Sequence, residues 1–563
     1  MQHFRRTKDI LPWCIIRLVL QLCIVSGCLA RDFDDTILNE DTYSVNCSVP
    51  NCEGPLSEIF CSGPLVQANW FFELPECPVL YSKMRLKFEP EVVIKNFYRL
   101  QRPLHKVQFK EFCEKNFENV SYLKPAHLPD WKRVPTMFAE ISDPRMSKLA
   151  LELHNIWPEL SREFIPDVHE NNDRYPVLPV PNRFIAPGGQ FQVYFYWDTY
   201  WILKGLLFSE MYDTARGVLD NFAFLMKHKG FIPNSGDIQL SGRSQPPLFT
   251  QMIWDFYNNY DKDQKSFLEE FLPLAEKEMD WWQDKRAVSV TKNGSDNDSG
   301  MGGEAAFSLY QYRAETNCPT TLGDYQQGME SGKDPEFYWS STASACESGW
   351  DFSTRWFDME GENSVNIKGL RTNLIVPVDL NDAIQEVLFD ESAGVWFDYD
   401  IETKELRKMF FPSNIFPLLL NTTTAEGCER VVGYLKDLDV FKYKGGIPSS
   451  LEGRSKEQWD FPNGWAPITH LFVMSLLQCP QTEAQERAKK VADGFLTTMY
   501  NGLLNPIKGL PAQVWEKYDV RFDNGRSGFG GGYPVQAGFG WTNGAALDFI
   551  RYFYATPSPQ RQD

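Results

Sequence analysis

The stretch DTYWILKGLLFSEMYDTARGVLDNFAFLMKHKG, Asp198 to Gly230, decides the fold class of this 563-residue chain. Leucine and phenylalanine recur in it at steps of three and four residues, the spacing that places apolar side chains on one face of an α-helix. The stretch therefore predicts two consecutive helices. Strand-like alternation of apolar and polar residues is scarce in the rest of the chain, so the sequence predicts an all-α protein.

Further helical stretches follow on both sides, separated by long connections rich in glycine and tryptophan. Paired helices packed in a ring would gather those connections at one end, where a site can be built from distant segments. The polar stretch Ser289 to Gly303 predicts an exposed loop. The predicted helical stretches are 146–164, 268–283, 381–389, 467–478, 483–504 and 543–555.

The run ESGWDFSTRWFD, Glu347 to Asp358, sets acidic residues among aromatic rings. Asp351 stands two residues after Gly349, where the backbone can approach a ligand closely. A carboxyl group among aromatics is partly desolvated, which raises its pKa and lets it hold a proton near neutral pH, as a general acid must. Taken alone, the run also fits an ordinary helix end with core aromatics and solvated acids.

Composition narrows the class of partner. Hydrophobic residues make up 43% of the chain, enough for a large core, and aromatic residues make up 14%. A core rich in tryptophan accounts for most of these aromatic residues, but aromatic faces also stack on sugar rings, which makes a carbohydrate site more plausible. The formal net charge of −19 repels nucleic acid and anionic membranes, which disfavours both as partners.

The first thirty residues predict a secretory signal peptide. Arg5, Arg6 and Lys8 form a basic start, and Leu18 to Gly27 forms a short apolar core. Retention of this leader as a membrane anchor is the alternative, and it is the only membrane contact that the sequence suggests. We therefore expect a secreted protein or one in the lumen of the secretory pathway. The sequons at Asn46, Asn119, Asn293, Asn297 and Asn421 agree with secretion.

Twelve cysteines are present, and five of the nine outside the leader crowd one N-terminal region: Cys47, Cys52, Cys61, Cys77 and Cys113. They predict local disulfides of open connectivity, and the odd total leaves at least one cysteine unpaired. No cysteine lies in a CxxC pair and only seven histidines occur, so a metal site has no support. We divide the chain into a leader, 1–30, a Cys-rich segment, 31–125, and a main domain, 126–556.

Two longer motifs carry a family resemblance: PGGQFQVYFYWDTYW at Pro187 and EQWDFPNGWAP at Glu457. They resemble the signature stretches of the trehalases, the glycoside hydrolases that split α,α-trehalose into two glucoses. Supporting matches follow in the same order, and the resemblance covers roughly residues 125 to 553. It implies an (α/α)6 toroid behind a Cys-rich N-terminal extension, with no cofactor. The supporting matches are IPNSGDIQLSGRSQPP (232–247), ESGWDFSTRW (347–356), WEKYDV (515–520) and GFGWTNG (538–544).

The resemblance also implies roles for residues. The family is an inverting one, so Asp351 would be the general acid that protonates the bridging oxygen, and Glu516 the base that deprotonates the attacking water. An inverting pair needs roughly 6.5–9.5 Å between its carboxyl groups. Implied substrate-binding residues are Phe191, Trp197, Asp198, Asn234, Arg243, Ser244, Gln245, Arg313, Ala314, Glu315, Gly349, Trp459 and Asp460.

Asp237 stands where the family commonly has a basic residue, and Ala314 stands where Pro is usual. Three further departures fall in the first signature and in the late glycine-rich motif. Gln190 and Val193 replace the Arg and Glu of the first signature, and Gly532 replaces a substrate-binding Glu in the late glycine-rich motif. Loss of two charge-assisted contacts would cost roughly 3–6 kcal/mol of transition-state binding, or about 10²- to 10⁴-fold in rate. One hypothesis is therefore a secreted trehalase of reduced activity, and the other is a silent relative that binds trehalose or another glycan. An active hydrolase with a shifted disaccharide preference is a third.

Overall fold

Helices form most of the structure, a computed structural model that describes residues 37–38, 45–72, 74, 84–260, 264–292, 305–381 and 385–555. The predicted signal peptide and the sequons at Asn293 and Asn297 lie outside these residues. The α-helices of the described residues are α1 Pro64–Phe72, α2 Pro90–Tyr98, α3 Lys106–Asn116, α4 Pro144–His154, α5 Trp157–Leu160, α6 Pro166–Glu170, α7 Asp198–Phe208, α8 Tyr212–Lys229, α9 Phe249–Asn259, α10 Gln264–Arg286, α11 Leu322–Glu330, α12 Pro335–Glu347, α13 Gln385–Leu388, α14 Ala425–Asp437, α15 Ala466–Leu477, α16 Thr482–Leu504 and α17 Gly540–Tyr554.

The strands are short and pair in small antiparallel sheets that join the helices. Two of them, β15 and β16, pair Trp465 with Lys517 and so bring distant segments together. The strands are β1 Ile37–Leu38, β2 Met84–Leu86, β3 Leu104–His105, β4 Phe117–Asn119, β5 Leu123–Pro125, β6 Ser161–Phe164, β7 Phe184–Ile185, β8 Ala287–Lys292, β9 Ala305–Tyr310, β10 Ile375–Val376, β11 Phe389–Asp390, β12 Val395–Trp396, β13 Tyr399–Asp400, β14 Glu405–Leu406, β15 Asn463–Trp465 and β16 Lys517–Asp519.

The predicted pair of helices in the deciding stretch is confirmed as α7 and α8. Helix α8 ends at Gly230, which has a φ of +84°, a left-handed conformation that glycine adopts without strain. Lys227, His228 and Lys229 occupy its last turn, where positive charge is favourable next to the exposed carbonyl groups. The all-α class is confirmed as well.

Three predictions from periodicity were wrong in part. The stretch 146–164 leaves the helix at Asn155, and Ser161–Phe164 pairs as a strand between β5 and β7. The stretch 381–389 is helical only over Gln385–Leu388 in its described part. The predicted loop after Ser289 begins as strand β8, which pairs with β9. In each case tertiary pairing overrides a weak local preference.

The core of the helical ring consists of α7, α15 and α17. Every residue of α7 is buried, and α17 packs against both α7 and α15. Helix α17 is the last helix of the described residues, so its contact with α7 joins the C-terminal part of the described chain to an early helix. The same junction is seen at the periphery, where the Ser142 amide donates to the carbonyl oxygen of Tyr554 at 2.9 Å.

The Cys-rich segment forms a small core of its own. Its buried hydrophobic residues extend from Leu38 to Phe117, and the main core begins at Tyr122. The smaller core also includes Leu178 and Ile238 of the main ring, so the two units pack together. The domain boundary at residue 125 stays a prediction that is compatible with this division.

The disulfides are only partly local. Cys52 pairs with Cys61, as predicted for a local bond, whereas Cys47 pairs with Cys318 across 271 residues. A further bond joins Cys428 to Cys479. The expectation that the N-terminal cysteines pair with one another was therefore wrong for Cys47, because Cys318 lies next to it in the folded chain. No described helix is long and apolar enough to cross a membrane.

Candidate active site

A cavity of about 190 Å³ opens where the central helices begin. Asp198, Trp465 and Trp541 of its wall lie at or beside the first residues of α7, α15 and α17. Rings with a few polar groups among them are typical of a site for a small polar ligand. The lining residues are Pro187, Phe191, Phe195, Trp197, Asp198, Asn234, Leu240, Arg243, Gln245, Cys346, Gly349, Asp351, Gln458, Trp459, Trp465, Tyr533, Phe539 and Trp541.

Aromatic rings form one continuous wall. Trp459 stacks on Trp465 with ring centroids 4.0 Å apart and lies 6.0 Å from Trp197. Trp541 packs edge-on against Trp197 at 5.6 Å. On another side, Phe191 packs edge-on against Tyr533. Flat apolar surfaces of this kind suit the hydrogen-rich face of a sugar ring, and their mutual packing holds them in place.

Asp351 lines the cavity and is half-buried. Burial raises the pKa of its carboxyl to about 6, and the charge of Arg243, the thiol of Cys346 and the charge of Lys517 limit that rise. A carboxyl group with this pKa exchanges a proton close to neutral pH, which is what a general acid requires. The carbonyl oxygen of Asp351 accepts a hydrogen bond from Nε2 of Gln458 at 2.6 Å, which fixes the backbone beside the acid.

Glu516 is buried immediately before strand β16. Burial raises the pKa of its carboxyl to about 7, and the negative charge of Asp351 adds to this rise. Neither carboxyl oxygen has a hydrogen-bond partner among the described residues, although both are buried. The nearest counter-charge is Nζ of Lys517, 3.5 Å from Oε1. The fold thus brings together two acidic residues that are 165 positions apart in sequence.

A chain of polar contacts leads from the carboxyl group of Glu516 to the backbone of Asp351. Nζ of Lys517 donates to Oε1 of Gln458 at 2.8 Å, and Gln458 donates in turn to the Asp351 carbonyl oxygen. Lys517 also donates to the carbonyl oxygen of Gly530 in the glycine-rich loop. The pairing of β15 with β16 creates this arrangement, because it sets the Gln458 and Lys517 segments side by side. These contacts hold the backbone of Asp351 to the segment that carries Glu516.

Asp198 is a third carboxyl group at this place. It is the first residue of α7, and burial raises its pKa well above the ordinary value, with further contributions from the charges of Asp351 and Glu516. Its elevated pKa favours the protonated form, and a protonated carboxyl can both donate and accept a hydrogen bond.

Nine of the fifteen predicted site residues line the cavity. Of the other six, Ser244 and Asp460 are buried behind the wall, as is Glu516, while the side chains of Arg313 and Glu315 are exposed. Ala314 is buried, and its amide donates to Oγ of Ser344. The nine lining residues are Phe191, Trp197, Asp198, Asn234, Arg243, Gln245, Gly349, Asp351 and Trp459.

Ser244 and Arg313 contact a buried carboxylate through their backbones. The Ser244 amide donates to Oε1 of Glu347 at 2.9 Å, and the Arg313 amide donates to Oε2 at 3.0 Å. Arg286 binds the same carboxylate through two further hydrogen bonds, of 2.9 and 2.7 Å. Glu347 therefore holds two site loops against the end of helix α12.

Asp460 holds the segment on the C-terminal side of Asp351, as Glu347 holds the segments on its N-terminal side. Its carboxyl accepts hydrogen bonds from Ser353, from the amide and hydroxyl of Thr354, and from Ser450, at 2.8 to 3.0 Å. It fixes the segment that follows Asp351, and it does not line the cavity. Its burial raises its pKa.

Sequence reasoning missed several wall residues and Lys517. Gln458, Trp465 and Trp541 lie inside the quoted motifs, but the letters alone do not tell which side chains face the cavity. Cys346 directly precedes the ESGWD run and is the one unpaired cysteine of the described residues. The remaining missed wall residues are Pro187, Phe195, Leu240, Tyr533 and Phe539.

Comparison with known proteins extends these observations. The sequence model of the trehalase family matches residues 81–384 and 381–554. The trehalase of Homo sapiens is 34% identical over 543 residues, which cover 88% of this chain and 89% of that protein. The trehalase of Pimpla hypochondriaca is 31% identical over 587 residues, which cover 96% and 95% of the two chains.

The chain belongs to the trehalase family. Among solved structures, the neutral trehalase of Saccharomyces cerevisiae superposes with a TM-score of 0.50 at 20% identity, over 66% of this chain and 74% of that one. This likeness confirms the predicted (α/α)6 toroid. The match to the trehalase family begins at residue 81, inside the predicted Cys-rich segment, so the resemblance extends further toward the N-terminus than the motifs indicate.

The three departures in the first signature and the glycine-rich motif lie outside the cavity wall. Gln190 is exposed, and its amide donates to Oε1 of Gln536 at 2.8 Å. Val193 is buried in the main core. Gly532 is exposed, and a Cβ atom built on it would meet no atom within 4 Å. A longer side chain therefore fits at position 532 without a clash.

Gly349→Ala tests the packing beneath the acid. Gly349 has a φ of +75°, and an added Cβ would lie 2.5 Å from Cζ2 of Trp197. We expect displacement of the Trp197 ring or of Asp351 and a fall in kcat/KM for trehalose of at least roughly 10²-fold, because small misplacement of catalytic groups is costly. Glucose release measures this change.

Gly433→Ala is the matched control for that substitution. Gly433 lies in helix α14, and a Cβ there meets nothing within 4 Å. Its activity should equal that of the wild type and its stability should rise by about 0.5–1 kcal/mol. Unchanged kinetics in Gly349→Ala would contradict the account of this packing.

Proposed function

We propose that this protein hydrolyses α,α-trehalose to two glucose molecules with inversion, with Asp351 as the general acid and Glu516 as the general base. The observation that carries the proposal is the pair of desolvated carboxyl groups beside one aromatic-walled cavity: Asp351 lies in its wall and Glu516 is buried behind it, with pKa values of about 6 and about 7. Membership of the trehalase family supports the choice of substrate.

The reaction follows from the two roles. Asp351 gives its proton to the oxygen that bridges the two glucose units, and the bond from this oxygen to one anomeric carbon breaks. A water molecule attacks that carbon from the opposite face, and Glu516 takes the proton of the water. One product has the inverted β configuration and the other keeps the α configuration of the leaving glucose. Proton exchange with solvent then restores both carboxyl groups.

The remaining predicted residues would hold the two sugars. Phe191, Trp197 and Trp459 offer flat faces, and Asp198 and Arg243 offer polar groups for sugar hydroxyls. Further polar contacts would come from Asn234, Ser244, Gln245, Arg313, Ala314, Glu315 and Asp460, with the backbone of Gly349 beside the acid. Arg313 and Glu315 are exposed and their loop is bound to helix α12 through the Arg313 and Ala314 amides, so we place them at the rim.

The alternative of a silent glycan-binding relative is less favoured. A binding site needs polar groups for sugar hydroxyls, but it does not need two desolvated carboxyl groups that both titrate near neutrality. We also propose a secreted or lumenal location, which the disulfides support because such bonds persist in oxidising compartments. Asn46, Asn119 and Asn421 are exposed, as glycosylation requires.

Removal of either carboxyl tests the mechanism. Asp351→Asn and Glu516→Gln should each lower kcat for trehalose on the order of 10²- to 10⁴-fold, because each removes one proton-transfer group. Glucose release from purified secreted protein measures the rate, and NMR of the first products should show equal amounts of α- and β-glucose. Asp284→Asn and Glu330→Gln change exposed acids and serve as controls. Wild-type protein that binds trehalose in calorimetry and releases no glucose would overturn the proposal.

The pH dependence of kcat/KM should be bell-shaped, with inflections near pH 6 and pH 7. The productive state holds one proton on the pair, with Asp351 protonated and Glu516 ionised. It is the minor of the two one-proton forms, because the pKa of Glu516 lies above that of Asp351. Activity falls below about pH 6, where both are protonated, and above about pH 7, where both are ionised. Because Lys517 lowers the pKa of both groups, Lys517→Met should shift both limbs to higher pH. Unshifted limbs in that variant would contradict this assignment of the inflections.

Restoring the family's residues at positions 190 and 532 tests whether the departures there limit activity on trehalose. The double substitution Gln190→Arg with Gly532→Glu should raise kcat/KM for trehalose by at least roughly 10-fold, because each restored charge adds a charge-assisted hydrogen bond to sugar hydroxyls. The single variants serve as controls and should give smaller gains. No gain in the double variant, with an unchanged melting temperature, would show that these positions do not limit activity.

A further inference from the structure

The Cys-rich segment contacts two loops that carry predicted site residues. One loop, 234–245, holds Asn234, Arg243 and Gln245 of the cavity wall. The other, 313–320, begins with Arg313 and Glu315. Residues 47–61 of the Cys-rich segment lie against both loops, although they do not line the cavity. The catalytic mechanism proposed above gives this segment no part.

The contacts to the second loop are concentrated in a few residues. Cys47 forms the disulfide with Cys318. Next to it, the Ser48 amide donates to Oδ1 of Asn317 at 3.0 Å, and Oγ1 of Thr316 donates to the Ser48 carbonyl oxygen at 3.1 Å. One covalent bond and two hydrogen bonds therefore fix this loop directly after Glu315.

The contacts to the first loop are packing contacts. The backbone of Gly242 is so close to Val49 that an added Cβ would lie 3.0 Å from Cγ1 of that residue and 3.4 Å from Cδ of Pro50. Nδ2 of Asn51 donates to the carbonyl oxygen of Ser241 at 3.4 Å. The Cys-rich segment thus packs against Ser241 and Gly242, the two residues that precede Arg243.

Arg243 stands between the segment and the sugar cavity. Its side chain is 8% exposed and lines the cavity, and it also lines a second, much smaller void whose wall includes Val49, Phe60 and Cys318. Its Nε atom has no hydrogen-bond partner among the described residues. Because no hydrogen bond holds Nε, we infer that the position of the guanidinium depends on packing against the residues around the smaller void.

We propose that the Cys-rich segment is a clamp that positions Arg243 and the 313–320 loop for substrate binding, with the Cys47–Cys318 disulfide and the Val49 contact as its two points of attachment. The segment touches no substrate, so Cys47, Cys318 and Val49 are positioning residues. A test of this inference by KM for trehalose rests on the proposed function, whereas a test by hydrogen exchange does not.

The disulfide provides the first test. In Cys47→Ser with Cys318→Ser, we expect KM for trehalose to rise roughly 10-fold with kcat changed less than about 3-fold, because loss of a contact made equally to substrate and transition state raises KM alone. The matched control is Cys428→Ser with Cys479→Ser, which removes the buried bond beside helices α14 and α15. If the Cys47–Cys318 bond only stabilised the fold, both double variants would have a lower stability and a smaller active fraction. KM would then be unchanged in both.

A second variant keeps all disulfides, so that its result does not depend on how well a disulfide-free protein folds. Gly242→Ala should push Val49 and the loop apart by a few tenths of an ångström and raise KM roughly 3-fold. The additional change Val49→Ala should restore KM, because it removes the atom that the new Cβ meets. A rise in KM without rescue would contradict the Val49 contact.

Hydrogen exchange tests the clamp without catalysis. Amides of residues 238–243 and 314–318 should exchange at least roughly 10-fold faster in the Cys47/Cys318 double variant than in the wild type or the Cys428/Cys479 variant, since local opening governs their exchange. Unchanged exchange, or the same change in both disulfide variants, would overturn the clamp. Wild-type protein without trehalase activity but with this exchange pattern would reject the proposed function and retain the clamp.

Discussion

The carboxylate of Glu347 is the constraint on which the site depends. It ends helix α12, is fully buried, and accepts hydrogen bonds from Arg286 and from the amides of Ser244 and Arg313. These partners come from a helix and two loops that are distant in sequence. Removal of one partner from a buried charge pair costs about 3–5 kcal/mol, because the other charge is left uncompensated. The ion pair therefore forces the three segments to meet, and the acid stands four residues beyond it.

A second buried carboxyl group completes the support of the acid. Asp460 holds the Ser353 and Thr354 segment, so that Asp351 lies between two fixed anchors. Neither anchor lines the cavity, and neither is needed for proton transfer. Their function is preorganisation: they hold the reacting group within the small tolerance that catalysis allows. Lys517 and Gln458 extend the same rigidity to the base, and the clamp proposed for the Cys-rich segment would extend it to Arg243.

The cavity and its carboxyl groups match the trehalase pattern, whereas the differences from that pattern lie outside the cavity wall. The cavity keeps its aromatic wall with Asp351 and Asp198 in it, and Glu516 is buried behind that wall. The departures in the first signature and the glycine-rich motif are exposed or lie in the core, and Gly532 faces open space. At Gln190 and Gly532, which are exposed, a change of side chain leaves intact the packing that sets the pKa values of Asp351 and Glu516. This separation explains how one chain can retain the reacting groups while the contacts at the cavity rim change.

The sequence by itself determined the helices with strong 3.6-residue periodicity and the family, and it supplied the two residues that we propose as acid and base, because these depend on local pattern and on long motifs. It could not supply the strand at Ser161–Phe164, the Cys47–Cys318 bond, or the wall residues Cys346 and Tyr533, since each depends on what another segment of the chain places beside it. The same holds for the raised pKa values of Asp351 and Glu516. Burial and the approach of residues 165 positions apart exist only in the folded chain, so only the tertiary structure decided where the protons lie.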